Sequence, residues 1–146
     1  MSSLYGKEIF SFIGYPVMSD LELAKNPERI MSYDKVIVLH SEYVTKELFD
    51  ILSERNNVIF LYPNSLYAEV KITNDTIQLM QGHNYPDAQT SNGFGWKNDN
   101  SNDEFNKCKD GWNFKEIENG FMLDCYPDKI IKKDIKLLQT IRDLKK

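Results

Sequence analysis

The sequence predicts an α/β fold, one domain over residues 1–146, built on a mostly parallel sheet with an inserted hairpin. Two continuous apolar runs, KVIVL (35–39) and VIFLY (58–62), have the composition of strands buried on both faces of a sheet. The segment between them, HSEYVTKELFDILSERNN, carries apolar residues at helical spacing, so the three form a strand–helix–strand unit with short joints. Such a unit makes the strands parallel and the crossover right-handed. Finally, LYAEVKI and TIQLMQG alternate on either side of Asn74-Asp75, the pattern of a hairpin.

The elements follow in order. EIFSFI (8–13) is a short apolar run ended by Gly14 and Pro16, which predicts a strand. LELAKNPERIMSY holds one or two helical turns, with Pro27 placed as a first helical residue. Thr45 is the expected N-cap of the crossover helix, with Glu47 in its first turn favouring the dipole. Leu48, Phe49, Ile51 and Leu52 form its apolar face, and Asn56-Asn57 end it. Residues 82–119 are rich in Asn, Asp and Gly and show little periodicity, so they read as a long functional loop. Phe94, Trp96, Phe105, Trp112 and Phe114 imply that part of it packs. GFMLDCY is a last strand, and Asp128 is the expected cap of a final helix whose core stripe is Ile131, Ile135, Leu138 and Ile141.

Composition excludes several function classes. The net charge is −4 and the pI near 5.2, which provides no basic field for nucleic acid. The lysines of residues 129–146 suit the last turns of a helix. No apolar run reaches the ~20 residues of a membrane span. MSSLYGKEIFSFIGY has no charged start followed by a long apolar stretch, so a cytoplasmic protein without a leader is expected. Cys108 and Cys125 match no metal-ligand spacing. Two reduced, partly buried thiols are the expectation, with a bridge between them open in an oxidising compartment.

In open parallel sheets ligands bind beyond the carboxyl ends of the strands. His40-Ser41-Glu42-Tyr43 leaves one strand at that edge, and Pro63 through Glu69 leaves the next. Tyr43 and Tyr67 are therefore candidates to face one another. Tyr67 and Glu69 share a face if their segment is extended. Two phenols and a carboxylate are hard oxygen donors that suit ferric iron better than zinc, although tyrosines at strand ends also serve simply as half-buried rings. His83 is a candidate general acid or base, by its ordinary pKa. His40 and His83 have no HxxxH or HExxH partner, which argues against a histidine-built zinc hydrolase. The turn after VIFLY offers Asn64 and Ser65 but no cysteine. It also has no glycine for a strained elbow, so a thiol amidotransferase is not expected.

The order of motifs is similar to one known group. A strand leading to EYVT and a helix, a strand leading to NSLYAEV, then GH, late aromatics and a strand ending in CYP resemble short archaeal homologues of the C-terminal region of the N,N-dimethylformamidase large subunit. The resemblance covers roughly residues 33–143. It implies a three-layer, flavodoxin-like, class I glutamine amidotransferase-like fold. It also implies a mononuclear iron site, with Tyr43 and Tyr67 as ligands and His83 beside it. The family's glutamate falls at Tyr85 in this chain, so the third ligand would be Glu69, Asp87 or Glu42. The shortened sheet implies a homodimer or a partner chain to cover open edges. Two functions follow as expectations. One is an amidohydrolase-like or small-ligand protein working through Tyr43, Tyr67, Glu69 and His83, with His40, Glu42, Asn64, Ser65 and Tyr85 in its pocket. The other is a non-catalytic binding or regulatory module that uses the aromatic loop from Tyr85 to Phe114.

Overall fold

The computed structural model describes residues 3–146. In chain order the elements are α1 (Leu4–Phe12), α2 (Asp20–Lys25), a 3₁₀ turn (Pro27–Ser32), β1 (Val36–Val38), β2 (Tyr43–Val44), α3 (Lys46–Glu54), β3 (Val58–Phe60), β4 (Ala68–Thr73) and β5 (Thr76–Gln81). A second 3₁₀ turn (Ser101–Phe105), β6 (Phe114–Ile117), β7 (Gly120–Leu123), a third 3₁₀ turn (Asp128–Lys132) and α4 (Ile135–Asp143) complete it.

The strand–helix–strand reading holds. β1 and β3 run parallel in the register Val36↔Val58 to Val38↔Phe60, and β7 joins β3 in parallel through Val58↔Gly120. β6 closes the other side antiparallel, giving the order β1-β3-β7-β6. Along β3 successive side chains alternate between faces. Ile59 and Leu61 enter a core with Phe10, Leu123, Ile131, Leu137 and Ile141, under α1 and α4. Val58 and Phe60 enter the other, with Leu48, Leu52, Ile30 and Trp96, under α3. The architecture is α/β with helices on both faces. Between β3 and β7 the predicted hairpin forms a separate three-stranded sheet, β2-β4-β5, with Thr73↔Thr76 next to the Asn74-Asp75 turn.

Local chemistry explains the crossover helix. Thr45 Oγ1 accepts from Leu48 N at 3.3 Å, the expected cap, and Leu48 and Leu52 are buried. Pro27 opens a 3₁₀ turn as expected.

Four expectations need correction. Residues 8–13 lie in and just beyond α1, not in a strand. Gly6 and Phe10, four apart, bury one stripe with Ile9 and Tyr5 against the core, and Gly14 ends the helix at φ +96°. The 82–119 segment is not wholly irregular, because its last residues form β6 through antiparallel pairing with β7. Asp128 does not cap the last helix. It begins the third 3₁₀ turn, and Asp134 caps α4 by accepting from Leu137 N at 2.9 Å. The apolar stripe therefore spans two helices of different pitch. Leu137 and Ile141 are buried, whereas Ile135 at the first turn of α4 is 70% exposed. Cys108 and Cys125 are not reduced thiols but a disulfide that ties the segment before β6 to the end of β7.

Candidate functional site

The site gathers beyond the carboxyl ends of β1 and β3. The stretch 40–43 leaves β1 and is stitched to the start of β4. Ser41 O accepts from Leu66 N at 2.9 Å, and Glu42 O accepts from Tyr67 N at 3.1 Å and Ala68 N at 2.9 Å. These bonds fix Glu42 beside the hairpin.

The turn after β3 is sealed. Ser65 is buried and donates its hydroxyl to Tyr62 O at 2.7 Å, while Asn100 reaches in from the long loop to accept from Ser65 N. Ser65 is thus structural. The elbow-like strain expected to need glycine is present without it, because Asn64 and Leu66 adopt left-handed φ of 58° and 53°. For asparagine this conformation is tolerable, but for a buried leucine it is an outlier enforced by its surroundings.

The loop after β5 brings in the histidine. Gly82, at φ +113°, crosses so close to β4 that a Cβ there would lie 2.9 Å from Ala68 Cα. His83 N then donates to Ser91 O, and Asn84 N to Thr90 O, each at 2.9 Å. Gly93 N bonds Tyr67 O at 2.7 Å, which anchors the far end of the loop. Tyr85 lies exposed at the loop's cis Tyr85-Pro86 bond, and Asp87 caps the tip through Gln89 N and Thr90.

His83 and Glu42 meet here. His83 Nε2 lies 2.9 Å from Glu42 Oε1, and His40 Nε2 lies 3.7 Å from the other carboxylate oxygen. The His83 ring stacks on Tyr43 (5.3 Å between centroids, 27° between planes) and meets Tyr67 edge-on at 4.9 Å. A carboxylate at this distance favours a proton on His83 Nε2, the tautomer that leaves the lone pair on Nδ1. The Tyr67 hydroxyl bonds Ser91 Oγ at 2.7 Å. On the other side Ser41 Oγ donates to Asp20 Oδ1 at 2.8 Å. Burial in the recess raises the Asp20 carboxyl above its usual range, opposed by the Ser41 bond and the charge of His40.

Glu69 stays apart. Among the described residues no hydrogen bond, ion pair or ring contact joins it to Tyr43, Tyr67 or His83, and its charge acts on Lys46 instead. Burial and the neighbouring Glu42 push the Tyr43 hydroxyl up, and the Tyr67 hydroxyl is engaged by Ser91. Tyr43 and Tyr67 thus meet at His83 and Glu42, with Glu69 outside their contacts.

No family model matches the chain, and no curated protein or solved structure matches it. The likeness to the dimethylformamidase region therefore stands on motif order alone.

A cavity of about 670 Å³ adjoins the cluster, walled by α1, residues 15–20 and β1, and reaching His40 through Tyr43. Its volume and largely apolar walls are those of a ligand pocket. Asp20, Ser41 and Ser91 complete the site; Ser41 lies in the stretch placed at the strand edge, whereas Asp20 and Ser91 carry no sequence signal. Tyr62, whose ring lies 6.1 Å from His40, is also unexpected: its hydroxyl is buried against Gly6 of α1 and has no hydrogen-bond partner among the described residues.

Proposed function

We propose that this chain is an amide hydrolase in which the Glu42–His83 pair activates water against a ligand held in the adjoining cavity. The observation that carries this reading is the 2.9 Å contact of His83 Nε2 with Glu42, on a ring clamped between Tyr43 and Tyr67. Glu42 fixes the tautomer. Nδ1 of His83 takes the proton of a water that attacks the carbonyl carbon, and returns it to the leaving nitrogen, giving an acid and an amine. No side-chain nucleophile is required, in keeping with the buried Ser65. Parallel β1, β3 and β7 between helical layers, and a strained turn after β3, support a flavodoxin-like, class I glutamine amidotransferase-like ancestry.

Formamide, acetamide and N,N-dimethylformamide are suitable first substrates, with ammonia or amine release as the readout. Turnover above background supports the hydrolase.

One observation favours the non-catalytic module instead. The long loop presents Tyr85 and Phe105 to solvent, at 49% and 85% exposure, as a contact surface would. Ligand-induced stabilisation without turnover of any amide would select that reading.

Two further parts of the proposal concern surroundings. β5 is a free edge with Ile77 and Met80 exposed, which suits a second copy or a partner chain. Light scattering tests this. No helix among the described residues is long and apolar enough to cross a membrane. Cytoplasmic residence fits the bonded cysteines only in cells whose cytoplasm keeps disulfides, as in hyperthermophiles, and elsewhere the pair points to an oxidising compartment.

A further inference from the structure

β1 is an edge strand, and the direction of its backbone groups shows which side is open. Val36 N donates to Asn57 O and Val38 O accepts from Leu61 N, so residues 36 and 38 face β3. Successive residues of a strand turn their N–H and C=O to opposite edges. Ile37 and Leu39 therefore present theirs away from the sheet, and among the described residues these groups have no hydrogen-bond partner.

This open edge does not face bulk solvent directly. It forms one wall of the 670 Å³ cavity, whose lining also includes Val17 and Met18. The sheet edge of another folded copy cannot easily enter a recess walled by α1 and residues 15–20. A single extended chain can. Exposed edges that invite a strand in this way bind peptides by backbone pairing, with side-chain pockets setting the preference.

The carboxyl end of the recess carries two carboxylates, whereas the Lys35 ammonium is bonded to Ile141 O and Arg142 O. At the carboxyl end of β1 the lining includes Asp20 and Glu42; at the amino end it includes Lys35. Glu42 and Tyr43 belong both to this lining and to the cluster around His83. A chain with its positive end at the carboxylates runs antiparallel to β1 and ends beside Glu42, the carboxylate paired with His83.

We propose that the free edge of β1 docks an extended peptide segment, antiparallel, with a lysine, arginine or free amino end at Asp20 and Glu42. The ligand of the cavity is then a peptide rather than a free small amide. This deepens the hydrolase reading and rests on it only for what happens after binding.

Calorimetric titration with the free pentapeptide Lys-Val-Thr-Val-Leu tests the docking on the intact chain. The N-acetylated peptide Glu-Val-Thr-Val-Leu, which has no positive end, and two N-methylated forms of the lysine peptide, one blocked at its second and fourth amides and one at its third and fifth, serve as controls. The lysine peptide binds, and the glutamate peptide binds at least about tenfold more weakly. One methylated form loses about fivefold or more for each hydrogen bond blocked, and the other binds nearly unchanged, because only alternate amides face β1. Asp20→Asn narrows the difference between lysine and glutamate peptides. Equal binding of the lysine and glutamate peptides would overturn the proposal, as would no binding at millimolar peptide or indifference to both methylation patterns. Peptide binding without hydrolysis would leave the docking intact and refute the hydrolase. Turnover of small amides without peptide binding would do the reverse.

Discussion

Replacing both cysteines by alanine, Cys108→Ala with Cys125→Ala, tests how the β6–β7 edge is held. The two residues are 17 apart, so the bond closes a short loop containing β6 and β7. Constraining a loop of that length in the unfolded chain is worth about 3 kcal/mol on the chain-entropy account. Unfolding entropy of ~2.1 cal/mol/K per residue over 146 residues gives about 0.3 kcal/mol/K, so the melting temperature falls by about 10 °C. The loss is local in origin. Beyond the pairing of Phe114 with Leu123, the edge is held by Asp124 N to Asn113 O and Tyr126 N to Asn106 O, at 3.0 and 2.6 Å. Amide exchange in β6 should therefore accelerate more than in β3. Calorimetry of wild type and double variant measures the first effect and hydrogen exchange the second. Equal melting temperatures, or two titratable thiols in the untreated native protein, would refute the reasoning.

Other outcomes follow from single contacts. Asp134→Ala removes the α4 cap and the partner of the Trp112 indole N–H, bonded at 2.7 Å, and costs about 1–3 kcal/mol in urea unfolding. The Trp112 bond, with help from Leu137 N–H, holds the Asp134 carboxyl below its ordinary value. Its folded pKa is thus below the unfolded one, and its contribution is present above about pH 4. That contribution is lost as pH falls through the folded pKa, so the stability gap to Asp134→Asn narrows in acid. Gly120→Ala places a Cβ 1.8 Å from Val58 O, where β3 and β7 pair, and destabilises by about 3 kcal/mol or more because a ladder carbonyl has nowhere to go. Tyr62→Phe, which removes a buried hydroxyl with no hydrogen-bond partner among the described residues, leaves stability unchanged or raises it by up to about 1 kcal/mol in the same assay.

The elements legible in the sequence were those whose patterns are local. KVIVL and VIFLY are apolar without interruption because both faces of β3 are covered, and Thr45 caps because its hydroxyl reaches a backbone N–H three residues on. α1 was misread because six residues of mixed apolar character fit either period, and its burial is decided by contacts with the distant third 3₁₀ turn and Ile131. β6 has no legible signature of its own, since Phe114-Lys115-Glu116-Ile117 becomes a strand only by pairing with β7.

The site divides in the same way. The carboxyl-edge argument paired Tyr43 with Tyr67; in the structure each packs on His83, which only the motif order had put nearby. Glu42 in place of Glu69 depends on backbone bonds from residues 66–68 to 41–42 that no spacing reveals. Ser91 reaches Tyr67 from 24 residues along the chain, past β4 and β5, and Asp20 reaches Ser41 from the first turn of α2.

The central claim is that Glu42 and His83 act as one base. It is tested most directly by amide turnover at neutral pH in wild type, His83→Asn and Glu42→Gln, with melting curves taken alongside. The account predicts a fall of at least about a hundredfold for His83→Asn and of at least about tenfold for Glu42→Gln, with folding retained. Turnover that survives in either folded variant, or that wild type never shows above background, would contradict it.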